Sequence, residues 1–327
     1  MQDRYAGDIG DFGKIGLLKA LQAQGLSVGV NWYRVEPMDA ERKADGTYKQ
    51  EDGKYLIPEK LQVCDVSLAE RLTKIAKSDH RSIRDLERGK FIPGARYYSE
   101  PVTVSGRDGW HKKALEILRG LDIVFVDPDN GMLVKSVGKR SAKSIKYTFY
   151  EEVADYIEQD QSVLIYNHRS RKQEGVYFHE LCEKLGKITG VPESRILKIT
   201  FPRCSIRDYL AVSASDEHYE KIRAAFSEME NGVWGQNGVC RIPEKREITV
   251  RYLYDYHFKD VLIRLGDEEG RYIREIRHKG DKTWKSLFAG SEDDDYARAI
   301  SFGEGCWQDL KNVSLKEVQE ILAEWNE

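Results

Sequence analysis

Apolar residues recur at helical spacing from Lys14 to Gln24, the run stops at Gly25, and Leu26 to Tyr33 then reads as a strand. Helical patterns follow at Ser67 to Lys77 and Ser82 to Arg88, then a strand near Arg96 to Val104 and a helix from Trp110 to Leu118. A continuous apolar strand, Ile123-Val-Phe-Val126, runs into Asp127. Beyond it, Tyr147 to Gln159 reads as a helix, Ser162 to Tyr166 as a strand and Tyr177 to Leu185 as a helix. This alternation predicts a mostly parallel sheet covered on both faces. Arg195 to Phe201 and Asp208 to Ser213 are strands with no room between them for a crossover helix, so they are expected to pair antiparallel. Residues 36–60 are polar, with Asp45-Gly46 and Asp52-Gly53 as turn signals, and predict a long loop or hairpin insertion.

From Pro243 the pattern resets. Glu247 to Leu253, Lys259 to Leu265 and Tyr272 to Arg277 alternate like strands, and Ser314 to Trp325 is an amphipathic helix. The expected division is an α/β domain over residues 1–243 and a small α+β domain over 244–327. The acidic run Glu292 to Asp295 reads as a solvated loop.

The 52 basic and 55 acidic side chains leave a net charge of -3, so no global field draws polyanions and any nucleic-acid site must be a local patch. Five cysteines, odd in number, widely spaced and without a Cys-x-x-Cys pair, argue for reduced structural thiols. No stretch reads as a leader or approaches the ~20 apolar residues of a membrane span, so a cytoplasmic protein without membrane contact is expected.

Candidate chemistry concentrates where the apolar strand ends, in Asp127-Pro128-Asp129-Asn130-Gly131. Open α/β sheets present ligand-binding groups at the carboxyl ends of their strands. Asp127 and Asp129 could hold Mg²⁺, with Asp8 or Asp11 completing the set, as a nuclease or other phosphoryl-transfer enzyme would require. The plain alternative is a tight turn at Asn130-Gly131. Near the start of the chain, glycines stand at 7, 10, 13 and 16 around Asp8, Asp11 and Lys14. Each glycine within a helix costs ~1 kcal/mol relative to alanine, so either ligand contact or close packing should compensate. Neither a Walker loop nor a strand-preceded Gly-x-Gly-x-x-Gly is present, so a phosphate cradle is not expected there.

Two basic runs follow neighbouring strands: Lys135, Lys139, Arg140, Lys143 and Lys146, and then His168-Arg169-Ser170-Arg171-Lys172. On one rim they would grip phosphates, giving affinity for DNA or RNA without base specificity. His168 is a candidate general acid or base, with a structural histidine the equal alternative. Trp284, Trp307 and Trp325 are either core residues or anchors for a protein partner.

Ala6-Gly7, Asp11 and Lys14, followed by a helix and a strand, resemble the Ala-Gly-x-x-x-Asp-x-x-Lys opening of bacterial ribosomal RNA adenine-N6 methyltransferases, whose central strand ends in Asp-Pro-Pro-Tyr. The layout is also similar to the three-cysteine-motif partner proteins of bacterial gene neighbourhoods. The resemblance covers residues 5 to 230 by order of elements and two short motifs by residue. It implies a Rossmann-like, class I methyltransferase-type sheet, mostly parallel with a C-terminal antiparallel hairpin, and a nucleic-acid-modifying enzyme using S-adenosylmethionine. Gly7, Asp8, Gly10, Asp11 and Lys14 would border the cofactor and substrate pocket, Asp127 would accept a hydrogen bond from the target amino group, and Pro128 would shape the turn beneath the base. Asp129 and Asn130 depart from the family by replacing the second proline and the aromatic residue that would stack on a flipped base. Glu36 could hold a ribose hydroxyl, although Arg34-Val35-Glu36-Pro37 stands where a Gly-x-Gly is expected. A degenerate form without its cofactor loop would be a binding module, with the C-terminal domain as its partner-recognition element.

Overall fold

The computed structural model describes residues 1–36, 56–78, 80–169, 174–203, 205–242, 251–268, 271–287, 293, 295–297 and 310–326. Most of the predicted 36–60 insertion, with Arg171, Lys172, Glu292, Asp294 and Trp307, therefore lies outside the described residues. The chain divides into two compact units, Met1–Pro243 and Glu244–Glu327.

In the first unit, helix α1 (Ile9–Ala23) leads into strand β1 (Val28–Asn31). Helices α2 (Glu59–Gln62), α3 (Val66–Ala76) and α4 (Ile83–Arg88) precede β2 (Arg96–Tyr98), and α5 (Arg107–Leu118) precedes β3 (Ile123–Val126). Two short strands, β4 (Gly131–Met132) and β5 (Tyr147–Thr148), pair parallel with each other. Then come α6 (Tyr150–Ile157), β6 (Ser162–His168), α7 (Glu174–Thr189), β7 (Ile196–Arg203), β8 (Ser205–Val212), α8 (Asp216–Asn231) and α9 (Val233–Gln236).

Six strands form one sheet in the order β2-β1-β3-β6-β8-β7. β8 pairs antiparallel with both β6 and β7, while the other pairings are parallel. The fold is therefore mixed α/β with a mostly parallel sheet, and the apolar β1, β3 and β6 are buried throughout or nearly so because helices cover both faces. On one face Leu17, Phe125, Leu164, Tyr166 and Tyr209 share a core with Phe226. Across the sheet, Val126, Ile165 and Leu210 pack with Leu181 and Leu185. Successive residues of a strand thus serve opposite cores, as the two-residue period requires.

Helix α1 begins before the predicted Lys14, with Asp8 capping it by accepting the Asp11 N–H. Gly10, Gly13 and Gly16 therefore lie inside the helix. Helix α8, not predicted from the sequence, packs against α1. The second unit is a separate antiparallel sheet of β9 (Arg251–Asp255), β10 (Val261–Glu268), β11 (Arg271–His278), β12 (Lys285–Ser286) and β13 (Leu310–Val313), ordered β12-β11-β10-β9-β13, with α10 (Leu315–Asn326) following. Trp284 and Trp325, both half-buried, pack on Tyr252 and Tyr254 of their own unit, against its core. Among the described residues no helix is long and apolar enough to cross a membrane.

Candidate functional site

The two motifs singled out in the sequence meet at the carboxyl ends of the strands. Lys14 Nζ, on the first turns of α1, donates to Asp127 Oδ2 at 2.8 Å, and Asp11 Oδ1 lies 3.4 Å away on the same helix face. All three residues are nearly inaccessible. Burial works against the ammonium, but the Asp127 and Asp11 carboxylates outweigh it and hold Lys14 well above its usual range. Asp11 moves the other way: burial pushes its carboxyl up to about 7 despite the lysine.

The spacing of the opening motif has a local cause. Asp11 Oδ2 accepts the Gly7 N–H at 2.8 Å, folding the preceding loop back onto the helix, while the three-residue step from Asp11 to Lys14 puts both on one face. Gly7 has φ +85°, and a Cβ there would lie 2.6 Å from the Leu72 carbonyl oxygen of α3. Packing also accounts for Gly13, which faces the Phe201 ring, and Gly16, which faces the Trp234 ring. Gly13 and Gly16 thus offset their helical cost through close approach of other elements rather than through a ligand, and Gly7, in the turn before the helix, is required by its φ and by the approach of α3. Gly10 would meet only the side chain of the capping Asp8.

At the crevice between β1 and β3, where the strand order reverses, the amino group of Met1 is lodged. It donates to the Tyr33 carbonyl at 3.0 Å and the Asp127 carbonyl at 3.1 Å, and pairs with Asp129 Oδ1 at 2.9 Å. Gln2 Nε2 donates to Asp129 Oδ2 at 2.8 Å. Burial alone would raise the Asp129 carboxyl, but these donors, led by the amino group, hold it below its ordinary value. Tyr33, with φ +45°, is buried and turns its carbonyl toward Met1 while its hydroxyl donates to Glu152.

Asp129 and Asn130 form a bend, in keeping with the turn alternative, and the bend leads into β4. The Asn130 N–H donates to the Lys146 carbonyl, the Asn130 carbonyl accepts from the His168 N–H, and Gly131 opens β4. A Cβ on Gly131 would lie 2.2 Å from Asn167 Oδ1, the atom that accepts the Met132 N–H. The turn after Asp127 is therefore stitched to both flanking segments.

The remaining candidates separate. Lys146 Nζ lies 3.9 Å from Asp129, bringing the first basic run to the crevice, while Arg140 and Lys143 are exposed and Lys139 pairs with Glu151. Arg169 does not join them. Its guanidinium binds Asp208, Glu174 and Thr200, an internal network on the α7 side of the sheet and across it from Lys14. A side chain so paired is a structural tie, so it does not serve as the expected phosphate grip.

His168 stays on the Lys14 side, its Nε2 3.0 Å from the Tyr166 hydroxyl. Burial, followed by the charges of Arg207 and Lys14, pushes it down to about 4, which removes it as a proton donor near neutrality. Glu36 is exposed and pairs with Arg34 at 2.7 Å, so its carboxylate faces a guanidinium. The proposed metal set is also not assembled. Lys14 stands between Asp11 and Asp127, Asp129 is engaged by Met1 and Gln2, and no group of three potential ligands occurs among the described residues.

Sequence reasoning misses Tyr166 and Arg207. Lys14 Nζ sits 4.7 Å above the centre of the Tyr166 ring, and Arg207 Nε donates to its hydroxyl. A strand expected to start at Asp208 leaves Arg207 in the preceding turn; β8 instead begins at Ser205, and its antiparallel direction brings Arg207 opposite His168. A cleft of about 350 Å³ lies at the other end of the sheet, lined by Asp122, Gln159, Asp160, Ser215 and His218, far along the strands from these groups. No protein-family model matches this chain, and no curated protein matches its sequence.

Proposed function

We propose that the first unit is a nucleic-acid-directed protein of the Rossmann-like class I methyltransferase type, whose turn from Asp127 to Asn130 receives an amino group of a nucleobase for N-methylation. Two observations support the reading at the level of architecture: the antiparallel β8 lies between β6 and β7, and the strand order reverses between β1 and β3. The observation that carries it is the meeting of the two motifs through Lys14 and Asp127 beside a turn that accepts an amino group, that of Met1, on the Asp127 carbonyl and the Asp129 carboxylate. A base amine shares the N–H donation but not the positive charge of that group. Lys146, 3.9 Å from Asp129, and the exposed Arg140 and Lys143 of the same run would supply the charge for a phosphate backbone.

S-adenosylmethionine would supply the methyl group. The cofactor side of the crevice fits it poorly in this conformation. Trp32 and Tyr33 follow β1 in place of glycines, both are buried, and Met1 bridges the ends of β1 and β3. That closure favours a second reading, a binding module that keeps the amine-accepting turn and performs no transfer. Lys14 between the carboxylates speaks against the magnesium-dependent nuclease.

The deciding experiment incubates the whole chain with radiolabelled S-adenosylmethionine and mixed RNA and single-stranded DNA. Label in the polymer that falls by ~100-fold or more in Asp129→Asn, whose carboxylate is the side-chain acceptor of the turn, supports transfer through this turn, a loss of the size seen when a directly acting polar group is removed. Polymer retention on a filter without cofactor binding or label would establish the binding module instead.

A further inference from the structure

The geometry points to an oxyanion seat at Arg207, formed with Tyr166 and His168 on the Lys14 face of the sheet, which takes a phosphate of the bound nucleotide. This deepens the proposed function and rests on it for the identity of the ligand.

Alternation along β8 puts Arg207 on the same side as Tyr209, and alternation along β6 puts His168 with Tyr166. Both tyrosines belong to the core beneath α1, from which Lys14 reaches the same ring. Arg207 is opposite His168 on one neighbouring strand and Phe201 on the other. Its carbon Cζ lies 5.8 Å from the Tyr166 ring centre and Lys14 Nζ lies 4.7 Å from it, so the two cations are no farther apart than the sum of those distances. A nucleoside whose base amine met the Asp127 turn would have its sugar and phosphate within reach of the guanidinium.

What distinguishes Arg207 is its lack of an acidic partner. Lys14, Arg107, Arg169 and Lys198 are well-buried cations of the same unit, and each meets a carboxylate within 3 Å. Among the described residues Arg207 meets none; it donates Nε to the Tyr166 hydroxyl, and its Nη1 is buried without a partner. Arg207 is half-buried, but a buried nitrogen with an unused donor is costly unless an acceptor arrives. The Tyr166 hydroxyl is in turn placed to donate to His168 Nε2, and burial keeps the imidazole neutral, which leaves the guanidinium as the charge of the seat. Arginine's planar fork suits the tetrahedral oxygens of phosphate.

Calorimetric titration of the whole chain at low ionic strength tests this, using adenosine, adenosine 5′-monophosphate, inorganic phosphate and S-adenosylmethionine. The wild type should bind the monophosphate roughly tenfold or more tighter than adenosine, as a charge-assisted pair provides. Arg207→Met should equalise the two, and Arg207→Lys should retain part of the difference, since it keeps the charge without the fork. Should Arg207→Met fail to unfold cooperatively, the Arg207 Nε–H resonance of the wild type supplies the second measurement and must shift on phosphate addition.

Equal affinity of the wild type for adenosine and its monophosphate, or a preference that survives Arg207→Met, overturns the seat. An effect of Arg207→Met confined to S-adenosylmethionine also overturns the phosphate seat and assigns the guanidinium to the cofactor's carboxylate instead. A wild type that prefers the monophosphate yet does not bind S-adenosylmethionine retains the seat and sinks methyl transfer, so the two failures are told apart.

Discussion

Lys14 shows how much a single side chain can organise. Its ammonium is held by Asp127 from the central strand and Asp11 from its own helix, over the Tyr166 ring, in a place where an unpaired charge would not persist. His168, at the end of the neighbouring strand β6, shows the opposite outcome. The unfolded histidine takes up its proton near its ordinary value of 6.5, whereas the folded one waits until about 4. Between those values the unfolded chain binds the extra proton, so this group's contribution to stability is present above 6.5 and is lost as the pH falls toward about 4. Urea unfolding across that window should show the decline, and His168→Gln should flatten it. Observing the His168 ring by NMR gives the direct check: a midpoint near its ordinary value would mean that burial and the Arg207 charge do not act on it as described.

At the scale of elements, α1 is defined by what approaches it. The glycines in its sequence suggest a ligand, yet the Phe201 and Trp234 rings occupy two of the spaces and the α3 backbone a third. Gly7→Ala joins a left-handed φ to a backbone clash, so it should destabilise the first unit by about 2–4 kcal/mol in denaturant unfolding. An effect near zero would show that the loop before α1 can move away from α3. β8 makes a complementary point. Its reversed direction delivers the start of a strand, with Arg207, to the rim where its neighbours end, and a reading that begins the strand at Asp208 loses that residue.

For the whole molecule, the separation into Met1–Pro243 and Glu244–Glu327 has a physical basis in separate cores. Leu17, Phe125, Leu164 and their neighbours serve the first unit, and Leu253, Ile263, Leu265 and Ile276 serve the second. Each covers its own sheet. A chain ending at Pro243 should therefore fold by itself, with a cooperative urea transition and the circular-dichroism signature of a mixed α/β protein. A gradual, non-cooperative transition in that fragment would show that the first unit depends on the second.

Hydrophobic periodicity by itself determined the alternation of helices and strands in the first unit, the antiparallel pair at its end and the importance of the strand running into Asp127, because period and turn chemistry are local properties. It also determined the pairing of charge type with motif, Lys14 in one and Asp127 in the other. Only the tertiary structure decided which charges meet. Residues 113 positions apart come within 2.8 Å, Arg169 turns to the opposite face from Lys14, and Arg207 meets no carboxylate among the described residues, its Nη1 buried without a hydrogen-bond partner. Those outcomes depend on strand order and on which face each residue of a strand serves, and neither is written in the spacing of a single segment.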